Sequence, residues 1–448
     1  MPRAGLPTEL RTGSDRRQKR SHLTWLIAYA AVVLVFTAAI QRMSPHVTSR
    51  LATIGSLVER RTFAMDGSPY ENTVDKIMID GHYYSHQPPA TAVLGAVAYY
   101  PLHLLGMRLE SDAPATYVLV TFAINGIPML VGLSLFFFAL SWTSLPPFLH
   151  LPLTASLACA TLILPYTTTL NSHGLCAALM CIGVYFFLLI LNSERARGGA
   201  LASGFAFSLC AAADHAMLAF LALLAVCLLV RPERRKLTFW FLLPTLVTLL
   251  PTFLYYYSIG HSIEPFAARP EFFLYPGSPW VSSGESTARL TGASRNSLPF
   301  AIKYGFLMLF GKRGFLLYNP LGVVAIYGMV RAIAARSKYW REALAALLGS
   351  ALIVVYYAFS SANFSGASYS IRWFVAFLPL WWFFGTPALE NLHSWTRWQR
   401  ALLTAACGIS LFYAAAGALN QWPEEWRGYQ LPFHNISAVF GRRLFVPY

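Results

Sequence analysis

The chain has 448 residues, 56% hydrophobic and 12% charged, with a mean hydropathy of +0.49 and a formal net charge of +15. Soluble domains carry about a quarter charged residues, so the composition excludes a water-soluble enzyme and points to a polytopic membrane protein. The six cysteines, Cys159, Cys176, Cys181, Cys210, Cys227 and Cys407, sit in or beside apolar runs without CxxC or His-x-Cys spacing, which argues against a disulfide framework or a zinc site.

Residues 1–22 form a basic tail with Arg3, Arg11, Arg16, Arg17, Lys19 and Arg20. The apolar run Leu23 to Ile40 follows without a small-residue cleavage site and reads as an uncleaved signal-anchor helix with a cytoplasmic N-terminus. Val47, Leu51, Ile54, Leu57 and Val58 then recur at helical spacing, predicting a helix along the membrane surface with Arg50 and Thr53 on its wetter side. Glu59, Asp66, Glu71, Asp75 and Asp80 follow: five of the chain's 19 acids within 22 residues. In so apolar a chain this concentration marks the loop as the place to look for chemistry.

Runs of spanning or near-spanning length follow near 90–106, 114–140, 146–165, 173–192, 199–213, 215–230, 237–258, 316–335, 343–360, 371–389 and 401–419. If all of these crossed, the basic loops at Arg195/Arg197, Arg231–Lys236, Arg331–Arg341 and Arg397/Arg400 would lie outside, against the positive-inside rule. The run 90–106, with Pro88-Pro89 before it and Pro101 and His103 within it, is the best non-crossing candidate. Removing it leaves about eleven crossings, with 18 Lys/Arg and six Asp/Glu on the cytoplasmic side against 16 and 13 outside. The fold expected is therefore all-α and polytopic, with external juxtamembrane helices. Loops 41–113 and 259–315, the segment 360–372 and a tail 420–448 then share the external face.

On that face several side chains suit phosphate, sugar or acceptor. Lys312 and Arg313 lie between Gly311 and Gly314, and Arg372 opens a helix where it can hold phosphate or snorkel to the interface. Asn363 and Tyr369 are placed to assist Arg372. Tyr84 and His86 suit sugar binding, while Tyr83 suits interfacial anchoring. His173 lies in a turn where Asn171 or Ser172 can cap a helix, and Asp214-His215 sits at a hairpin tip. Trp422, Trp426 and Tyr429 suit an interfacial belt or lid. A metal held by Asp and His has no supporting spacing. The basic excess follows from membrane topology, so no nucleic-acid partner is implied, and no Walker A, GxGxxG or HExxH motif is present.

An uncleaved first helix, an external loop with an amphipathic helix, the phrase Arg61-Thr62-Phe63-Ala64-Met65-Asp66 and then Asp80-Gly81-His82-Tyr83-Tyr84-Ser85-His86-Gln87-Pro88-Pro89 together resemble the GT-C superfamily of polyprenyl-phosphate-sugar-dependent membrane glycosyltransferases, of the protein O-mannosyltransferase and aminoarabinose transferase type. The resemblance covers roughly residues 23–335, leaving 336–419 as C-terminal membrane helices. It implies a lipid-linked sugar donor, an unidentified acceptor (protein, lipid or glycan), membrane lipids as surroundings and the external face of a bacterial inner membrane as location.

The family often has an acidic pair just ahead of the first surface helix, where this chain has His46-Val47, and an acid and a lysine where it has His86-Gln87. Either the base has moved to Asp75 or, next, Asp66, or the chain has lost transfer activity; the same acids also suit a solvated loop tied by Arg60, Arg61 and Lys76. One carboxylate can suffice, because a phosphate leaving group needs no protonation, unlike the alcohol released in glycoside hydrolysis. Such a site needs a base for the acceptor hydroxyl and cations for phosphate, a role open to Lys76. The alternative is a non-catalytic or transport protein that binds or flips lipid-linked sugars.

Overall fold

The computed structural model describes residues 8–39, 43–110, 114–193, 196–279, 297–361 and 363–423. In chain order its main helices are α1 (Thr8–Ala38), α2 (Pro45–Gly55), α3 (Ala90–Leu104), α4 (Pro114–Trp142), α5 (Pro147–Cys159), α6 (Ser172–Asn192), α7 (Ala196–Ala213), α8 (His215–Leu229), α9 (Thr245–Gly260), α10 (Leu298–Phe310), α11 (Leu321–Ala334), α12 (Trp340–Ser360), α13 (Arg372–Phe384) and α14 (Arg397–Leu419). A short antiparallel hairpin, β1 (Ile77–Ile79) and β2 (His82–Tyr84), lies between α2 and α3 and supplies the only strands among the described residues.

Five described helices, α1, α4, α6, α12 and α14, are long and apolar enough to cross a bilayer. A sixth span results if the chain from α10 through α11, bent by 98° on the way, counts as one. The eleven-crossing reading counts shorter and interrupted helices as spans in addition to these. The outward faces fit lipid: on α10, Leu298, Ile302, Phe306 and Phe310 recur every four residues and are all exposed, an apolar stripe that water would penalise. The protein is a multi-pass integral membrane protein. α3, with 15 residues, is about 22 Å long at 1.5 Å per residue, short of the roughly 30 Å hydrocarbon core.

At the centre stands α6, packed along α4 and α7 and met at its start by the first turn of α13. The chain entering α6 from α5 makes one helical turn, Ile163–Thr167, and then leaves helical geometry, yet Thr168, Thr169 and Asn171 are all buried. Backbone outside a helix is tolerated at such depth only if side chains satisfy it. Asn125 of α4 donates to the Thr169 carbonyl at 2.6 Å, and Asn171 accepts from Gly174 N at 2.8 Å as the N-cap of α6. The described cysteines are all free, and four of the six are buried in the helix packing.

The surface helix corrects the expectation. α2 starts where Ser44 caps the Val47 N–H and Pro45 takes the first helical position, but it is buried on both faces. Arg50 and Thr53 are as buried as Leu51 and Ile54. The reason is close packing: α3 lies on one face, where a Cβ at Gly95 would fall 2.3 Å from Ile54 Cδ1, and the loop leading to β1 covers the other, with Thr48 bonded to Thr73 at 2.9 Å. Helical periodicity shows that a face is apolar, not that the opposite face is wet. Over the top, Ile77 and Ile79 of β1 pack with Tyr255, Tyr256, Phe266 and Phe273, so the first long loop and the described part of the second form one cap.

A Cβ at Gly174 would sit 2.1 Å from the Tyr166 carbonyl oxygen, backbone against backbone. Gly174→Ala is expected to lower the thermal unfolding temperature in detergent measurably, consistent with an overpacking cost of about 1–3 kcal/mol. Gly198→Ala, at a position with open space, serves as the neutral control.

Candidate active site

The hairpin places the central carboxylate. Asp80 and Gly81 take positive φ values of 50° and 83°, the conformation of a two-residue type I′ turn, for which Asp-Gly is a favoured sequence. The resulting register pairs Ile77 with Tyr84, and continuing it two residues outward puts Asp75 opposite His86. Ser49 of α2 bonds to Ser85 at 2.8 Å, while Thr73 donates to the Pro45 carbonyl at 3.1 Å, so both arms of the hairpin are fixed to the first turns of α2.

Asp75 is 5% exposed and met by two imidazoles. His46 Nδ1 lies 2.6 Å from its Oδ2, and His86 Nδ1 lies 3.3 Å from its Oδ1. Behind each imidazole stands an arginine. Arg372 Nη2 donates to His46 Nε2 at 2.7 Å. On the other arm Arg50 Nη2 donates to Gln87 Oε1 at 3.0 Å, and Gln87 Nε2 donates to His86 Nε2 at 2.8 Å. Guanidinium and amide nitrogens can only donate, so both outer imidazole nitrogens accept; each neutral ring then carries its proton on Nδ1, which in His46 lies 2.6 Å from Asp75 Oδ2 with the Gln87 amide nitrogen 2.9 Å away, and in His86 is buried without a hydrogen-bond partner.

The electrostatics follow. Burial pushes the Asp75 carboxyl up, but His46, His86 and Arg50 outweigh it and hold it below the usual carboxylate range. Burial, helped by Arg372 and opposed by Asp75, pulls His46 down to about 4; His86 is lowered for the same leading reason. At neutral pH the cluster is one carboxylate, two neutral imidazoles and two guanidinium cations.

Both arginines keep unmade donors. Arg50 Nε and Arg372 Nε and Nη1 are buried without a hydrogen-bond partner, although the two residues are only 4% and 8% exposed. A buried, unsatisfied charged donor costs on the order of 1–3 kcal/mol or more. Three such groups around one site are what an anionic ligand would satisfy. The Arg372 guanidinium lies over the Trp422 ring, 5.3 Å from its centroid, and Arg50 Nη2 touches Ser172 Oγ, the first residue of α6, at 3.5 Å. On the far side of α6's start, His173 Nδ1 faces Asp214 Oδ2 at 3.5 Å.

The structure thus brings Asp75, His86 and Arg372 into one cluster, with His173 at its border. Arg372 is buried and does not reach for the interface. Asp66 is apart: it is partly exposed, accepts the Tyr83 N–H at 3.3 Å and pairs with His82, which ties down the hairpin. Lys76 donates to the Glu71 carbonyl and lies over Tyr83, and Tyr84 is a half-buried strand residue. Lys312 is exposed. Arg313 donates to the carbonyls of Gly366 and Ser368, bracing the loop before Arg372. Tyr369 donates to the Tyr413 carbonyl, and Asn363 accepts from Ser361, so neither is bonded to Arg372. Asn171 does cap α6; Asp214 caps the turn after α7, and His215 bonds to Tyr256. Trp426 and Tyr429 lie outside the described residues.

Residues that the sequence reading passed over are His46, Arg50, Gln87 and Trp422. A signal existed for the first two, which stand one helical turn apart on α2 and share a face. His46, Asp75 and His86 present ligand-type atoms within 4.8 Å of one another. The Gln87 amide nitrogen, however, lies 2.9 Å from His46 Nδ1, 2.8 Å from His86 Nε2 and 3.4 Å from Asp75 Oδ2, in the space a cation would take. With arginines behind both rings, the set fits a hydrogen-bonded cluster rather than an open metal shell.

No family model matches the chain. A 77-residue stretch is 32% identical to a probable nicotinate-nucleotide adenylyltransferase of Neisseria meningitidis, covering 14% of this chain; the chain spans 38% of the length of that relative, a share too small to carry an activity. The crystal structure of ArnT from Cupriavidus metallidurans bound to undecaprenyl phosphate aligns with 89% of this chain and 68% of its own, at TM-score 0.53 and 18% identity. Its apo form aligns with 89% and 69%, at TM-score 0.53 and 17% identity. Spanning helices, a cap built from the first and second long loops and this overall superposition agree: the chain has the fold of these ArnT structures, the GT-C fold.

Proposed function

We propose that this chain is an integral membrane glycosyltransferase that moves a sugar from a polyprenyl-phosphate carrier to an acceptor hydroxyl at the non-cytoplasmic face of a bacterial inner membrane. The observation that carries the reading is a buried, ionised Asp75 beside two buried arginines with unmade donors. Base and phosphate cradle are the two things this transfer needs. The ArnT structure holding undecaprenyl phosphate supports the choice of carrier.

In this reading Arg50 and Arg372 hold the carrier phosphate, helped by the N-terminal end of α6 beside Ser172, where backbone dipoles favour an anion. The acceptor oxygen bonds to the anomeric carbon while its proton passes to an Asp75 oxygen. The anomeric carbon–oxygen bond breaks with its electron pair going to the phosphate, whose growing charge the guanidinium groups stabilise. Asp75 is never asked to protonate a leaving group; its depressed affinity for protons keeps it ionised and free to accept, while making it a weak base, so the proton moves to it only as the new glycosidic bond forms. His173, with Asp214 behind it, borders the site where a sugar or acceptor hydroxyl would lie. Tyr84, Lys76 and Lys312 belong to the surrounding external surface, and Arg313 acts by bracing the loop that carries Arg372. The membrane module 23–335, the C-terminal helices 336–419 and the cytoplasmic N-terminus complete the proposed organisation. A protein that only binds or flips the carrier would use the arginines but would not need the carboxylate.

Two outcomes test this with purified protein and labelled polyprenyl-phosphate sugars. Asp75→Asn should lower transfer by about 10²–10⁴, the usual worth of a general base, while Asp66→Asn keeps wild-type transfer within about threefold, since a partly exposed surface pairing contributes little. Full activity in Asp75→Asn would sink the base assignment. Arg372→Lys should weaken undecaprenyl phosphate binding by roughly tenfold or more, because an ammonium cannot reproduce the guanidinium's fixed donors. Unchanged binding in both Arg372→Lys and Arg50→Lys would remove the phosphate cradle.

A further inference from the structure

His46 stands where the GT-C resemblance leads one to expect a carboxylate, and it is joined to both halves of the proposed chemistry. On one side its Nε2 accepts from Arg372; on the other its Nδ1 faces Asp75 Oδ2. The arginine thereby dictates the ring's tautomer, since a proton on Nε2 would oppose the guanidinium donor. Arg372 is itself steadied by the Trp422 ring beneath it, and His46 by its place in the capped first turn of α2. One imidazole ring is all that separates a phosphate-holding cation from the accepting carboxylate.

We propose that His46 is a positioning residue that makes Arg372 and Asp75 a single hydrogen-bonded unit, so that the group holding the carrier phosphate also aims the carboxylate and keeps it ionised for the acceptor proton. The inference rests on the glycosyl-transfer reading above and deepens it. His86, Gln87 and Arg50 form a second arm, but His86 Nδ1 stands 3.3 Å from Asp75 without a hydrogen bond, against 2.6 Å for His46, which makes the His46 arm the tighter hold.

The groups facing Asp75 are His46 and Arg50 from α2, His86 and Gln87 from the segment after β2, and Tyr275 from the second external loop, with Arg372 of α13 behind His46. Burial raises the carboxyl, and His46 is the first of the groups that bring it down. The sign follows. Transfer requires Asp75 ionised and is lost as pH falls through its titration. Withdrawing the Nδ1 donor leaves burial less opposed, so the acid limb of the pH profile must move to higher pH.

The experiment is kcat/KM for the lipid-linked sugar across about pH 4–9, a profile that reports the free enzyme's essential groups. His46→Ala removes both contacts, whereas His46→Asn keeps a donor near the Nδ1 position. Expected in His46→Ala is an acid limb that enters this range, falling about tenfold per pH unit below its midpoint, where wild type stays flat to the lower end, with His46→Asn close to wild type. If His46→Ala does not fold, His46→Gln, which keeps an acceptor for Arg372 and withdraws the Nδ1 donor, carries the same expected shift. A uniform loss at every pH with the limb unmoved assigns His46 a structural role only and overturns the proposal, as does an unaltered profile. A wild-type protein inactive with every lipid-linked sugar offered removes the transfer reading and this proposal with it, whereas an active wild type with an unmoved limb removes the proposal alone.

Discussion

Everything around the site answers to one constraint: a carboxylate, Asp75, is kept ionised inside the protein. An isolated charge at such a position would be prohibitively costly and would take up a proton instead. Here it is met by two imidazoles, each backed by a guanidinium, while the hairpin and α2 hold all the parts in register. Neutral imidazoles suit the task, because they line the carboxylate with polar groups without adding a third and fourth cation beside Arg50 and Arg372. The charge balance is still uneven, since two guanidinium groups face one carboxylate. That surplus, together with the unmade donors on Nε of both arginines and Nη1 of Arg372, suits the site to a further anion.

Four arginines, three at or beside the site and one away from it, differ in how fully they are committed. Arg313 is bonded to backbone carbonyls of the segment that leads to Arg372, so its charge stabilises a loop. Arg231 is paired with the buried Glu342 at 2.6 Å, joining the chain after α8 to the first turn of α12. Arg50 and Arg372 bond to neutral partners, Gln87 and His46, and keep donors in reserve. Partner chemistry, not residue type, separates a brace from a ligand cradle. Asp66 and Asp75 divide in the same way: one is partly exposed and tied to the hairpin backbone, the other buried at the meeting point of two relays.

The membrane setting explains why so polar a cluster stays ordered. Residues 168–171 break the helical pattern inside the bundle, and side-chain amides and hydroxyls satisfy their backbone. That break sets the start of α6, and with it Ser172 and His173, against the cap. The cap closes from both loops through Ile77, Ile79, Tyr256 and Phe266. Apolar outer faces such as that of α10 leave the polar groups nowhere else to gather.

The amino-acid sequence by itself determined the membrane class, the helical fold, the helical segment of α2 and the acidic loop that contributes Asp75 to the cluster, because composition and periodicity report which local faces avoid water. Asp80-Gly81 also carried the hairpin that sets Asp75 against His86, a local signal that went unread. The role of Arg50 was misread, since an amphipathic pattern cannot distinguish a wet face from one buried against polar groups. His46 and Arg372 were beyond any local pattern: they are 326 positions apart in the chain and meet through one hydrogen bond. Only the packing of α13 and α2 at the head of α6 decided that meeting. Electrostatic pairing depends on distance in space, and periodicity along the chain carries no record of it.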